Sequence, residues 1–281
     1  MFVSGFCRLN LYVIEKEQPM NRFFSAFITC CLLIGLHSCS EYKPTPPLRC
    51  ADNPELAATR LTLKFDALLD SVPFQLGRIF TDNFGNRVRA DIFMNYISMV
   101  TLVAEDGSEV LLKDFMLVDY SEENEVTVDV PSCKYTSLKL GVGIPAEYNV
   151  DQDPAVYPSS SPLSVAGAQG MHWSWNTGYI FAKFEGKADT SGVVGAIPLL
   201  RIAIHAGNDA SYRAYESDPF ILELNGNSET VSVHLLVNKL FSPDQGNEVN
   251  LTDSAVTHSQ NNAQLATNYM NNFVAALVVE P

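Results

Sequence analysis

Residues 230–237 read Thr-Val-Ser-Val-His-Leu-Leu-Val, with apolar side chains at Val231, Val233, Leu235 and Val237. A period of two places these four on one face of a β-strand, because successive side chains of an extended chain point to opposite sides. The same alternation recurs upstream. Leu61, Leu63, Phe65 and Ala67 alternate with Thr62, Lys64 and Asp66, and Val126, Val128 and Val130 alternate with Thr127 and Asp129. Leu138, Leu140 and Val142 repeat it, as do Ile202 and Ile204. Residues 99–104 run into Glu105-Asp106-Gly107-Ser108, a hairpin turn signal, and then into residues 110–112. Many short strands with turns rather than helices between them predict an all-β protein, a β-sandwich of immunoglobulin-like or related type. One segment departs from this period. Ala263, Ala266, Met270, Phe273 and Leu277 fall at helical spacing and predict a C-terminal amphipathic helix packed on the sandwich. Residues 149–170, rich in Pro, Ser, Ala and Asp, read as a long loop, a length often associated with function.

The chain has 281 residues, 47% hydrophobic and 18% charged, which suffices for a packed core. Its formal charge of −14 argues against nucleic acid, since it offers no basic stripe to neutralise phosphates. Met20-Asn21-Arg22 and the apolar run that follows, ending at Leu36-His37-Ser38-Cys39, have the shape of an export signal. Leu36 and Ser38 before Cys39 resemble a bacterial lipobox, in which the cysteine thiol is acylated. The expected division is therefore a signal over residues 1–38, with Met20 the start and an upstream extension before it. A lipidated Cys39 and a Pro-rich tether follow over 39–55, and one sandwich domain over 56–281. Such a chain sits on the bacterial outer membrane through its lipid, facing the periplasm or the surface. Once the signal and the lipidated thiol are set aside, Cys50 and Cys133 are the cysteines left in an oxidising compartment, where a disulfide persists.

The stretch Met171-His172-Trp173-Ser174-Trp175-Asn176-Thr177-Gly178-Tyr179-Ile180-Phe181 follows the long loop and holds both tryptophans of the chain. A core strand would account for any single aromatic there, but two tryptophans and a histidine at a loop-to-strand junction suggest a site. Of the other histidines, His205 closes a strand beside Gly207, His258 precedes the final helix, and His234 points away from the core and is expected to be solvated. Imidazole suits copper, zinc, nickel and iron. The sequence holds no GxSxG, HExxH, P-loop or strand-following GxGxxG, so the chain does not read as an enzyme.

Several segments in order, over about residues 61–273, resemble the MbnP-like copper-binding proteins of bacterial envelopes. They include Asn95-Tyr96-Ile97-Ser98, Leu117-Val118-Asp119, residues 138–145 (LKLGVGIP), residues 171–186 (MHWSWNTGYIFAKFEG), His205-Ala206-Gly207 and His258-Ser259. The resemblance implies a β-sandwich with a mononuclear copper site built from imidazoles, with His205 the leading ligand and His172 and His258 next. It also implies that Trp173 or Trp175 is the residue oxidised to kynurenine in some relatives. A di-haem enzyme of the peroxidase type and an outer-membrane transporter are the implied partners. The competing expectation is a metal-free sandwich used as an interaction or glycan-binding module, with the tryptophans as a stacking platform.

Overall fold

The computed structural model describes residues 48–173, 178–242 and 246–281. The expected signal, Cys39, residues 40–47 of the expected tether, and Trp175 lie outside the described residues. Strands β1 (Ala58–Leu69), β2 (Val72–Pro73), β3 (Ile79–Thr81), β4 (Arg87–Ala104), β5 (Glu109–Asp119), β6 (Asn124–Pro131) and β7 (Lys134–Val142) fill the first half. After the short helix α1 (Ala146–Asn149) come β8 (Ala182–Asp189), β9 (Leu200–Ala206), β10 (Arg213–Glu216), β11 (Leu222–Glu223), β12 (Glu229–Leu236) and β13 (Val256–Thr257). Helix α2 (Ala263–Ala275) and strand β14 (Leu277–Glu280) complete the chain.

These strands form the two sheets of a sandwich. Among the described residues the smaller sheet runs β14-β12-β1-β2, with β6 also on β1, and the larger runs β10-β7-β4-β8-β9-β13, with β11 on β7 and β3 and β5 on β4. In the smaller sheet β1 and β12 run parallel, pairing Leu63 with Val231 and Phe65 with Val233, so the two alternating patterns bury the same face. In the larger sheet β4 is the spine. Its first half pairs with β8 and its second with β7, while β5 lies along its other side. Phe93, at its centre, stacks on Tyr120 at 4.4 Å and meets Phe184 edge-on at 5.2 Å.

Local chemistry explains the turns and caps. Between β4 and β5, Asp106 accepts from both the amide and the hydroxyl of Ser108, and Gly107 takes the left-handed conformation (φ 76°) that a side chain would disfavour. The second oxygen of Asp106 accepts from the Cys50 amide at 2.7 Å. These donors hold its carboxyl down at about 2. Cys50 and Cys133 are joined by a disulfide with a Cα–Cα distance of 6.2 Å, tying the start of the domain to β7. Helix α2 is capped by Asn262, whose side chain accepts from the Leu265 amide, and it buries Leu265, Ala266, Tyr269, Met270 and Phe273. Leu277, assigned to the helix on spacing, instead opens β14. Ala276 already caps the helix, and the chain turns back to pair with β12.

His234 also departs from expectation. It faces away from the core, yet it is not solvated. The parallel register sets it beside Asp66, whose Oδ1 is 2.5 Å from its Nδ1, and Glu280 of β14 lies 3.5 Å from its Nε2. The neighbouring strands happen to carry carboxylates at that level, which a single strand's alternation cannot reveal.

A histidine pair beside a buried tryptophan

The site grows out of the β8–β9 hairpin. Phe184 and Gly186 of β8 and Ile202 and Ile204 of β9 point into the core, so Lys183, Glu185, Ala203 and His205 share the opposite face. Antiparallel register places Lys183 opposite His205 and Glu185 opposite Ala203. From there Glu185 Oε1 reaches His205 Nε2 at 2.8 Å, with Lys183 Nζ 3.7 Å from the same oxygen.

That face is not open to water at its His205 end. Strand β13 pairs in parallel with β9, matching Thr257 to Ile204. It carries His258 over the sheet. Ser259 fixes the crossing: its hydroxyl donates to the His205 carbonyl and accepts from the Gly207 amide, and its backbone is held at φ 62°. The His205 and His258 rings lie 4.8 Å apart between centroids and nearly perpendicular, at 89°. Trp173 completes the group, with its ring 6.0 Å from that of His205 and 6.2 Å from that of His258. Its indole Nε1 donates to the Gly207 carbonyl at 3.2 Å and it is 5% exposed.

Gly207 is required for this closure. A Cβ there would stand 2.3 Å from the Tyr179 carbonyl oxygen and 2.7 Å from the Ile180 Cα, so only glycine lets the two segments touch. Asn149 supports the same corner, accepting from the Tyr179 amide and donating to Asp209.

His172 stands apart. It precedes Trp173 in an extended segment bridged antiparallel to Tyr179, so the two side chains leave on opposite sides. Its ring meets Tyr179 edge-on at 5.0 Å, and its Nε2 is buried without a hydrogen-bond partner among the described residues. The structure thus brings His205, His258 and Trp173 together and leaves His172 outside the group.

Burial lowers the pKa of His205 below the ordinary 6.5. The Glu185 hydrogen bond and charge pull it back up, while Lys183 and His258 push it further down. Burial likewise lowers His172. A neutral imidazole is the form that binds metal. The Glu185 contact also assigns the ring nitrogens. A carboxylate can only accept, so Nε2 carries the proton and Nδ1 keeps its lone pair.

Two imidazoles with no thiolate beside them suit a metal ion that accepts few nitrogen donors. Among the described residues no three His, Cys, Asp or Glu side chains converge as a metal cage, so the four-donor set of structural zinc is not present there. His205 and His258 are the residues that would hold a copper ion, since imidazole is a copper donor. Sequence reasoning singled out these two histidines together with His172, and Trp173 together with Trp175. It gave no role to Glu185, Lys183 or Ser259, because only the β8–β9 register and the β13 crossing bring them to the site.

The class is thus defined: a two-sheet β-sandwich with a covered histidine pair beside a tryptophan at the end of a hairpin. A family model, MbnP, matches residues 58–265, and the chain belongs to the MbnP family. A solved structure, MbnP from Methylosinus trichosporium, shares this fold with a TM-score of 0.52 at 12% identity, over 80% of this chain and 99% of that one. No curated protein matches the chain.

Proposed function

We propose that this protein binds copper in the bacterial envelope, for capture or storage, through His205 and His258, with Trp173 beside them. The observation that carries the reading is the perpendicular pair of imidazoles 4.8 Å apart, one buried against a carboxylate. Membership of the MbnP family supports it. The parts have distinct tasks. His205 and His258 offer nitrogen lone pairs, Glu185 fixes the His205 ring, and Ser259 holds the two histidine segments together. Trp173 closes the site against water, and Trp173 or Trp175 would be the tryptophan that an oxidising partner of the di-haem peroxidase type converts to kynurenine. That conversion removes one carbon and adds one oxygen, which intact mass would read. The lipid anchor at Cys39 would keep the site at the outer membrane, where a transporter could receive the metal.

The glycan-platform alternative draws no support from Trp173, which is buried and hydrogen-bonded rather than displayed on a flat face. The test is a titration of the purified protein with Cu(I) against a competing chelator. His205→Ala and His258→Ala should each abolish tight binding, and His234→Ala, at the Asp66 contact on the other sheet, should leave it intact. Unchanged affinity in both site variants would refute the proposal.

A further inference from the structure

The loop between β8 and β9 lies at the other end of the hairpin from His205, and nothing in the copper reading uses it. Residues 190–200 read Thr-Ser-Gly-Val-Val-Gly-Ala-Ile-Pro-Leu-Leu, with no charged side chain. Val193, Val194, Ile197 and Leu199 are 62%, 100%, 74% and 77% exposed. Folding gains nothing from displaying aliphatic chains this way, and clustered exposure of that kind marks a contact surface. The loop is also held in place, since Arg87 donates from its guanidinium to the Ala196 carbonyl.

The base of the loop carries the opposite chemistry. Arg89 pairs in register with Lys187, and Lys187 with Arg201, so three cations form one row across β4, β8 and β9. Arg87 and Asp189 form the next row toward the tip, and Asp91 partners Arg89 on the other side. Cations outnumber carboxylates here, so the structure assembles a local basic row that the formal charge of −14 gave no reason to expect. An anionic surface would repel most of this molecule and accept this end.

We propose that the hairpin tip docks on an anionic lipid surface, with Val193, Val194, Ile197 and Leu199 entering the acyl boundary while Arg89, Lys187 and Arg201 meet the headgroup phosphates. Apolar residues flanked by Lys and Arg are the pattern of interfacial membrane binding. The composition favours lipid over a protein partner. Protein interfaces are enriched in aromatic residues and Met, and residues 190–200 contain neither. Aliphatic chains without a shaped cavity need only a fluid apolar medium.

The test places an environment-sensitive fluorophore on Val194→Cys in the full chain, with signal from identically treated parent protein subtracted. Nanodiscs of phosphatidylethanolamine with phosphatidylglycerol should shift its emission to the blue and shield it from iodide. The same probe on Ile221→Cys, an exposed apolar position elsewhere, should stay in water. Each Lys or Arg near an anionic surface is worth about fivefold in membrane attachment, so Lys187→Gln with Arg201→Gln should lower the inserted fraction relative to the free one by about 30-fold. Both positions are exposed, so the fold is not at stake. A Val194 probe that stays in water on anionic nanodiscs would overturn the proposal. So would insertion that is equal on phosphatidylcholine and indifferent to the two charge removals.

Discussion

Glu185→Gln tests what the carboxylate would contribute to the proposed copper binding. In the native protein Glu185 Oε1 accepts from His205 Nε2 at 2.8 Å, in surroundings where the histidine side chain is 11% and the carboxylate 27% exposed. A hydrogen bond to a charged group is worth about 1.5–3 kcal/mol, or roughly 10- to 150-fold in an equilibrium. Carboxylates behind metal-ligating histidines typically account for about 10- to 100-fold in affinity. The amide keeps an acceptor oxygen but loses the charge, and Lys183 then faces the histidine pair with less compensation. Glu185→Gln should therefore weaken Cu(I) binding by about tenfold, and Glu185→Ala, which also frees the ring to rotate, by about 100-fold. Competition with a chromogenic Cu(I) chelator under anaerobic conditions measures both. Imidazole nitrogen NMR of the metal-free protein should show His205 protonated at Nε2 in the wild type and a mixed tautomer in Glu185→Ala. Affinities within threefold of wild type for both variants, at unchanged melting temperature, would refute the assigned role of Glu185.

Other consequences follow from the same geometry. Reduction of Cys50–Cys133, which closes a span of 83 residues, should cost about 2–4 kcal/mol and lower the melting temperature by about 4–16 °C in a calorimetric scan. Gly207→Ala sets a Cβ against backbone of the Tyr179 segment and should cost about 3 kcal/mol as an overpacked contact. The variant should lose copper affinity with it, because the Gly207 carbonyl receives Trp173 and its amide binds Ser259. The native pKa values of His172 and His205 both lie below 6.5 through burial. The unfolded chain therefore binds more protons between the native and the ordinary values. Their contribution to stability is complete above about 6.5 and is lost as pH falls through the lower native values. Urea melts at stepped pH would show the fall, and His172→Gln with His205→Gln should flatten it.

Sequence alone determined the alternation of several strands, β1, β6, β7 and β12 among them, and what lies on each face of those, but it did not mark β8, which carries Glu185. Leu61 to Ala67 and Val231 to Val237 alternate because one face meets a core and the other does not, and this imprint is local. The turn at Asp106-Gly107 and the final helix were legible for the same reason, each being set by residues a few positions apart. The tertiary structure decided which faces meet. Nothing in either alternating run says that β1 and β12 lie parallel, or that Asp66 and His234 share a level. The site shows the same division. His205, His258 and Trp173 were among the residues that the family resemblance marked, alongside His172 and Trp175, but their meeting depends on β13 crossing β9 and on a glycine that permits the approach. His172 adjoins Trp173 in sequence and is still excluded, since neighbours in an extended chain point apart. Glu185 was silent in the sequence because its role is a matter of strand register, and register is fixed only when the sheet assembles.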